Sequence, residues 1–547
     1  MERKTIIFLA VSFVLLGFYP VVLQYFYPDY YKASRTLNKK NTSTSPVSGN
    51  TAGPKASAPN SPPSLENLSA ADDLEFQNQN LKLLFNKKGG SIHEVSFPQF
   101  IDSDTNKPLQ FLSLKEPDGN PMLVRLMEFH PEGTGLLIPD YHVEISPGSE
   151  VRASAAQGGV KIEKSAQFKA DQYSGDLNVR FENTTESPLE FSYQLLAGSS
   201  IAPRHSIDSQ YIEGNFFSRS GEKSILKHIN ESRLGKAVES AGFVEWVAIK
   251  DRHFAIILKP KSGASFTGLV QGLGNHHFSV SLVSEKVVLP PRGSVEHHFL
   301  VYLGPNELQK LLPVGLDPLV NFGKLDMIGR VLVGALEVLH KVFRNYGLTI
   351  IILTALINLL LFPLTRVSYM SMKRMQLIQP HMTKLKVQHK KSPEKLNKEM
   401  MELYKKHKVN PFGGCLPMIL QTPVFIALYV ALSKSVILIN SKFLWIKDLS
   451  SPDRLPLPFS LPFIGNEIHV LPLVMAAAMF FQQKLTQVKT EGQDPTMETQ
   501  QKMMTVMMPV MFGFIFYAMP SALVIYWLTN TLIMASYQLY LKRVTLT

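Results

Sequence analysis

The side chains that could do chemistry are sparse in this chain. One cysteine among 547 residues excludes a disulfide framework and any cysteine-rich metal site. The histidines of residues 253–298 lack the spacing and the neighbouring ligands that a metal ion needs, and the acidic residues are too scattered to nominate a glycosidase pair. These histidines are His253, His276, His277, His297 and His298. We therefore expect no catalytic residue, no metal site and no cofactor.

Five polar side chains stand out because they lie inside long apolar segments. Thr354 and Asn358 are four residues apart, as are Tyr526 and Asn530, so each pair shares one helix face. Gln421 is the fifth. Polar groups at membrane depth usually face the interior of a helix bundle or a cavity. Ordinary hydrogen bonds between helices are the alternative, and these residues alone leave both interpretations open.

The N-terminal part of the chain indicates an anchor followed by a tether. Residues 1–27 are largely apolar after Arg3 and Lys4, which predicts a transmembrane anchor with a cytoplasmic N-terminus. A cleaved signal peptide is the alternative, but no small-residue cleavage site follows and the segment runs into an aromatic belt. Residues 28–65 contain a stretch rich in Asn, Ser, Thr, Pro, Gly and Ala, without apolar periodicity, and predict a flexible linker.

Residues 66–305 have the pattern of a β-rich domain. Short apolar runs alternate with Gly and Pro turns, and long helical patterns are few. The runs are 81–85, 92–97, 177–181, 189–195, 278–283 and 297–303. This pattern predicts a β-sandwich.

The second half predicts an amphipathic helix and a bundle of membrane spans. Residues 306–345 form a linker that ends in an amphipathic helix over 326–343, which we expect to lie in the membrane interface, with packing on the β-domain as the alternative. Residues 346–541 then contain five apolar segments, so the anchor brings the expected number of transmembrane helices to six. These segments are 346–364, 412–439, 468–485, 506–519 and 521–540.

Charge fixes the expected orientation of these spans. The stretch 366–410 carries twelve Lys and Arg against three Glu, in a protein whose net charge is +12. Basic residues in short loops are retained in the cytoplasm. We therefore predict a cytoplasmic helical hairpin over 366–410, a periplasmic β-domain and a cytoplasmic tail over 542–547.

Ordered motifs over about 326–541 resemble the YidC membrane protein insertases of the YidC/Oxa/Alb family. The arrangement of anchor, large periplasmic domain and five-helix core is that of the Gram-negative branch of that family. The matching motifs are Asn345-Tyr346-Gly347, Phe362-Pro363-Leu364-Thr365, Asn410-Pro411-Phe412-Gly413-Gly414-Cys415, Gln421-Thr422-Pro423 and Tyr526-Trp527.

The resemblance implies an insertase and chaperone of the bacterial inner membrane that works without catalysis. Nascent membrane proteins would pass through a hydrophilic groove open to the cytoplasm and to lipid, alone or with the Sec translocon. The expected groove residues are Thr354, Asn358, Gln421, Tyr526 and Asn530. The residues expected at the groove entrance and in the cytoplasmic hairpin are Arg366, Lys373, Arg374 and Met375. Expected partners are nascent chains, the Sec translocon, lipids and the ribosome, which would contact the 366–410 hairpin; no small-molecule substrate is expected.

One position departs from the family pattern. Many relatives have an arginine four residues before the Phe362-Pro363-Leu364-Thr365 motif, where this chain has Asn358. We therefore expect substrates to depend less on attraction of acidic tails than on a polar, hydrated groove.

Two other functions remain alternatives at this point. A secondary transporter or channel predicts two related halves around a site at the membrane midplane, and the sequence has no internal repeat. A membrane-anchored periplasmic carbohydrate-binding protein predicts an aromatic platform or an acidic pair, and neither stands out.

Overall fold

The computed structural model describes most of the chain beyond residue 73. The described residues are 74–102, 105–113, 120–127, 139–146, 150–199, 201, 211–220, 223–230, 237–240, 242–262, 265–274, 277–322, 325–389, 392–407, 416–461, 465–486 and 495–544. The predicted anchor (1–27), the linker (28–65) and the motif at 410–415 lie outside them. Two compact units are present, Met1–Gln99 with Pro108–Pro305 and Phe100–Lys107 with Asn306–Thr547.

The first unit consists of antiparallel strands. They are β1 (Leu74–Gln77), β2 (Lys82–Asn86), β3 (Ser91–Ile101), β4 (Pro108–Ser113), β5 (Val124–Met127), β6 (His142–Ser146), β7 (Glu150–Gln157), β8 (Val160–Phe168), β9 (Ser174–Asn183), β10 (Leu189–Ser199), β11 (Glu213–Ser220), β12 (Lys223–Asn230), β13 (Val238–Glu239), β14 (Val244–Lys250), β15 (Phe254–Ser262), β16 (Phe266–Gly274), β17 (His277–Ser284), β18 (Val287–Leu289) and β19 (Ser294–Pro305). The β-rich domain expected from the sequence is confirmed.

These strands form three sheets. A nine-stranded sheet has the order β12-β11-β14-β15-β19-β9-β8-β7-β6, and a four-stranded sheet has the order β1-β2-β3-β4. The third sheet has the order β13-β16-β17-β10-β18, and β5 also pairs with β10. The predicted hairpin around residues 87–90 is the β2–β3 pair.

Aromatic contacts join the two larger sheets face to face. The ring of Phe181 in β9 lies 4.6 Å from Tyr193 and 5.3 Å from Phe191, which are both in β10. Phe266 in β16 lies 5.2 Å from Phe299 in β19. Side chains from the two inner faces therefore fill one core, as in a sandwich of aligned sheets.

Lys164 is buried in this unit without an acidic partner among the residues that the structure describes. The Lys164 Nζ donates to the carbonyl oxygens of Gly89, Gly90 and Met122 at 2.6, 2.5 and 3.1 Å, and lies 4.3 Å from the centre of the Tyr141 ring. These bonds tie the β2–β3 turn to β8. Removal of the amine from water disfavours its charged form, so burial lowers the pKa of Lys164 to about 7.

The second unit is mainly helical. Its helices are α1 (Leu308–Leu311), α2 (Asp326–Phe343), α3 (Tyr346–Gln388), α4 (Pro393–Lys406), α5 (Leu416–Ser433), α6 (Val470–Thr486), α7 (Pro495–Phe516) and α8 (Ser521–Val544). A two-stranded sheet, β20 (Leu455–Leu461) and β21 (Gly465–Ile468), lies between α5 and α6. The amphipathic helix expected over 326–343 is α2, with the same bounds.

Helix α3 joins two segments that the sequence analysis treated separately. Its 43 residues run from the apolar segment into the basic hairpin, through Pro363 and Pro380. At 1.5 Å per residue it is roughly 64 Å long, about twice the thickness of a hydrocarbon core. Helix α4 then contacts α3, with the Nε2 of His389 lying 3.0 Å from a carboxylate oxygen of Glu399.

The spans differ in how strongly their length and composition indicate a membrane crossing. Within the described residues, one helical stretch, Tyr346–Pro363, is both long and apolar enough to cross a bilayer. Gln421–Ser433, Val470–Leu485 and Met503–Phe516 are apolar but shorter. The count of six transmembrane helices therefore stays a prediction.

Candidate functional site

A cluster of buried apolar side chains joins the helices at the end where α3 and α8 begin. One apolar cluster there draws on the first turns of α3, α6 and α8, the last turns of α5 and α7, and the buried face of α2. Its members include Leu336, Ile350, Leu353, Ala427, Leu428, Leu432, Leu471, Met475, Phe516, Leu523, Val524 and Ile525. We call this part of the bundle the closed end.

Two of the five polar residues singled out in the sequence lie in this packed part. Tyr526 belongs to the apolar cluster and is 1% exposed, and its hydroxyl accepts a hydrogen bond from the Nε2 of Gln421 on α5. Thr354 is also 1% exposed, and its Oγ1 donates to the Ile350 carbonyl at 2.6 Å. Both side chains are hydrogen-bonded within the bundle. This is the alternative of ordinary hydrogen bonding that the sequence analysis left open.

A cavity opens further along α3 and α8, away from the closed end. Its volume is about 270 Å³. Its lining comes entirely from these two helices: Ala355, Asn358, Leu359, Phe362, Thr365, Ile533, Met534 and Tyr537. Asn358 therefore lies at the boundary between the two parts, with its Nδ2 donating to the Thr354 carbonyl at 2.9 Å. We call this space the α3–α8 cavity.

The stretch of α8 that includes the cavity-lining Tyr537 carries polar atoms without a partner in the described part of the chain. The Oδ1 of Asn530, the hydroxyl of Tyr537 and the Oε1 of Gln538 are buried and have no hydrogen-bond partner among the described residues. Buried polar atoms in native proteins are normally paired with protein or water. Water or a polar ligand is therefore expected beside this stretch of α8.

The basic residues assigned to the entrance follow the cavity along α3. Arg366 is exposed, directly after the cavity-lining Thr365 and within electrostatic range of Tyr537. Lys373, Arg374 and Met375 lie about two turns further on, in the hairpin part of the helix. Lys373 and Met375 are half-buried and Arg374 is exposed. The structure thus separates Arg366, beside the cavity, from the other three.

Sequence reasoning missed three polar or adaptable cavity residues. Thr365 ends an apolar run, and Met534 and Tyr537 lie one to two helical turns beyond Asn530 in a largely apolar helix, so their sequence context does not single them out. A signal was present for Tyr537: it follows Asn530 by seven residues, which is two helical turns on one face. No group of three potential metal ligands occurs among the described residues.

Two family profiles together match most of the chain. The family described as YidC periplasmic domain matches residues 73–335, and that described as 60Kd inner membrane protein matches 338–546. A membrane protein insertase YidC from Syntrophus aciditrophicus is 30% identical, with 99% of this chain and 100% of that protein aligned. This chain belongs to the YidC family.

Other YidC proteins extend the comparison. The YidC insertase of Cupriavidus necator is 35% identical, with 72% of this chain and 68% of that protein aligned. The crystal structure of YidC from Thermotoga maritima covers 86% of this chain and 98% of its own, at 16% identity and a TM-score of 0.32.

Family membership decides between the functions left open by the sequence. The chain is a membrane protein insertase and not an enzyme, and it is a membrane protein with a periplasmic domain. The insertase function implied by the motifs is thereby confirmed, in preference to a transporter, a channel or a periplasmic carbohydrate-binding protein.

Proposed function

We propose that this insertase receives nascent membrane proteins in the α3–α8 cavity, which serves as the inner half of a hydrophilic groove. The observation that supports this proposal is the difference between the two ends of the bundle. The closed end is filled by apolar side chains from six helices, whereas a cavity of about 270 Å³ with unsatisfied polar atoms beside it follows further along α3 and α8.

The orientation of the groove follows from charge. Helix α3 leaves the cavity toward the hairpin, whose sequence from 366 to 410 has nine more basic than acidic residues. Since such loops are retained in the cytoplasm, the cavity opens toward the cytoplasm and the closed end faces the periplasm. Both termini are then cytoplasmic, and the chain crosses the bacterial inner membrane six times, counting the anchor at 1–27.

The physical gain is a lower cost for moving polar segments of a substrate. A charged side chain at the centre of a bilayer costs at least about 2.5–3.5 kcal/mol. A hydrated cavity bordered by Asn358, Thr365 and Tyr537 shortens the apolar distance that such a group must cross. Burial of the substrate's own apolar helix in lipid then supplies the driving force, since each buried methylene contributes about 0.8 kcal/mol.

Asn358 and Arg366 divide the work that one arginine does in many relatives. Asn358 supplies polarity without charge at the inner end of the cavity, and Arg366 supplies charge at its opening. The two are eight residues apart, about 12 Å along the helix. An acidic substrate tail would meet the positive charge before it enters the cavity. We propose Gln421, Tyr526 and Thr354 as the floor of the groove.

Partners are proposed from surface chemistry. Nascent membrane proteins are the substrates of the family. The hairpin of α3 and α4 presents exposed Lys and Arg side chains, Arg374 among them, which suit ribosomal RNA or anionic lipid. Cooperation with the Sec translocon is proposed on the family resemblance.

Site-specific photo-crosslinking to a stalled nascent chain tests the groove. A photoreactive residue at Met534 lies in the cavity wall and is expected to crosslink a membrane protein substrate. The matched control is Phe514 on α7, which is 84% exposed and does not line the cavity. Crosslinks from Phe514 that equal or exceed those from Met534 would mean that substrates follow the outer surface of the bundle instead.

A further inference from the structure

A second, smaller cavity lies beside α2. Its volume is about 30 Å³, which exceeds the roughly 10–15 Å³ that one water molecule requires by the same measure. Four parts of the second unit form its wall: residues 306–308, residues 320–322, one face of α2, and the end of α5 with the residues that follow it. The charged wall residues are Glu307, Arg330, Glu337 and Lys434. We call it the α2 cavity.

The two carboxyl groups of this wall are close enough to affect each other. Burial raises the pKa of Glu307, the charge of Lys310 opposes this rise, and the neighbouring Glu337 adds a smaller upward effect. Burial also raises the pKa of Glu337, although a hydrogen bond from Gln309 and the charge of Lys341 act in the opposite direction. Two desolvated carboxyl groups on one small space are stabilised by a cation placed between them.

The two basic groups of the wall are engaged elsewhere. The Nε of Arg330 donates to Asp326 at 2.7 Å and one of its terminal nitrogens donates to the Val320 carbonyl at 2.7 Å. The Nζ of Lys434 donates to the Asn321 carbonyl at 3.1 Å. These contacts hold both side chains at the wall of the cavity. None of these three bonds is made to Glu307 or Glu337.

An unsatisfied amide oxygen gives independent support for a ligand. Asn306 lines the α2 cavity and is 8% exposed, and its Oδ1 is buried without a hydrogen-bond partner among the described residues. An amide oxygen only accepts hydrogen bonds. The missing group is therefore a donor. The Asn306 oxygen and the two carboxyl groups together define a site for a small cation with several N–H bonds. A primary ammonium is such a cation.

The position of α2 indicates where this ammonium comes from. One stripe of α2 is apolar and exposed, and its four residues are between 62% and 78% accessible. They are Met327, Val331, Val338 and Val342. A helix with such a stripe lies in the interface of a membrane. Lys434 directly follows the end of α5, so the cavity lies at the level where a span ends and lipid headgroups begin.

We propose that the α2 cavity binds the primary ammonium of an aminophospholipid headgroup, of the phosphatidylethanolamine type, in the periplasmic leaflet. The ammonium enters between Glu307, Glu337 and the Asn306 oxygen, and the phosphate stays outside, near Lys434. This inference rests on the proposed membrane placement of the helices but not on the groove. Its readout is lipid binding rather than insertion, so its failure is distinguishable from failure of the proposed function.

Native mass spectrometry of the full chain in mild detergent tests the site. Phosphatidylethanolamine and phosphatidylcholine with the same acyl chains are offered in competition. Three methyl groups on the choline nitrogen remove every N–H donor and make the cation bulkier. We expect roughly tenfold preferential retention of the ethanolamine lipid, the effect of losing charge-assisted hydrogen bonds. Equal retention of the two lipids by the wild-type chain would overturn the proposal.

Three variants locate the binding. Glu307→Gln, Glu337→Gln and Asn306→Ala should each reduce the preference for ethanolamine lipid severalfold, whereas Glu402→Gln in the exposed part of α4 should leave it unchanged. Unchanged preference in all three cavity variants would place the lipid elsewhere and overturn the assignment. Free ethanolamine forms a third arm of the experiment. If free ethanolamine displaces the lipid at concentrations equal to those at which the lipid binds, the natural ligand is a soluble amine and the assignment to a headgroup is wrong.

Discussion

At the scale of single residues, Asn358 is the polar residue of the sequence analysis that the structure places on the cavity. It lies one turn beyond the tightly packed Thr354, to whose carbonyl it is bonded, and it borders the α3–α8 cavity. Thr354 and Tyr526 share its polarity but lie in dry surroundings. The chemical role of each side chain therefore depends on its depth along the bundle, which the spacing of residues does not reveal.

Replacement of Asn358 by leucine should reduce insertion without loss of folding. The change keeps the size of the side chain but removes its polar atoms from the cavity, where a net hydrogen bond contributes about 1 kcal/mol. We expect about fivefold slower insertion of a substrate with a charged tail. A quantitative complementation or insertion assay measures this. Leu360→Ala, on the lipid-exposed side of α3, is the control, and an unimpaired Asn358→Leu variant would show that polarity at this position is irrelevant.

At the scale of elements, the most consequential feature is the continuity of α3. The sequence predicted a span over 346–364 and a separate hairpin over 366–410, where apolar residues give way to basic ones. Pro363 removes a single backbone donor, and the helix continues through it. The basic hairpin is thus a direct extension of a cavity-lining helix, and Arg366 is held at a fixed distance from Asn358.

The tie between the β2–β3 turn and β8 makes a prediction about pH. In the unfolded chain Lys164 has an ordinary lysine pKa near 10.5, whereas burial lowers its pKa to about 7 in the folded domain. Between these two values the unfolded state binds more protons, so the free energy of unfolding should rise with pH, by at most about 1.4 kcal/mol per pH unit. Below pH 7 Lys164 is protonated in the folded state as well, so burial of its charge lowers the free energy of unfolding by the full amount.

Thermal unfolding of the full chain at pH 7 and pH 9 measures this effect. The wild-type unfolding temperature of the β-domain should rise relative to that of Lys164→Met, which has no titrating amine at this position. Lys169→Met, at an exposed position, should follow the wild type. If wild type and Lys164→Met respond identically to pH, then Lys164 keeps its proton throughout this range.

At the scale of the whole molecule, the sequence predicted which segments form strands and helices. It did not predict whether a polar residue of a helix lies in the packed end of the bundle or beside the cavity. The strands around 177–181 and 297–303 were predictable because their alternating and apolar runs reflect burial, and α2 was predictable from its 3.6-residue period. The packed floor at Tyr526 and the cavity at Tyr537 were not. Both residues are polar positions on one apolar helix, and only the helices packed around α8 distinguish them.

The central claim is that the bundle is open to water from the cytoplasm only as far as the α3–α8 cavity. Single cysteines along α8, in a chain whose one native cysteine is replaced by Cys415→Ser, test it with a membrane-impermeant maleimide. In inverted membrane vesicles we predict labelling at Met534 and Tyr537 and none at Val524, in the closed end. Labelling of Val524 from the cytoplasmic side, or protection of Met534 as complete as that of Val524, would contradict a groove of this depth.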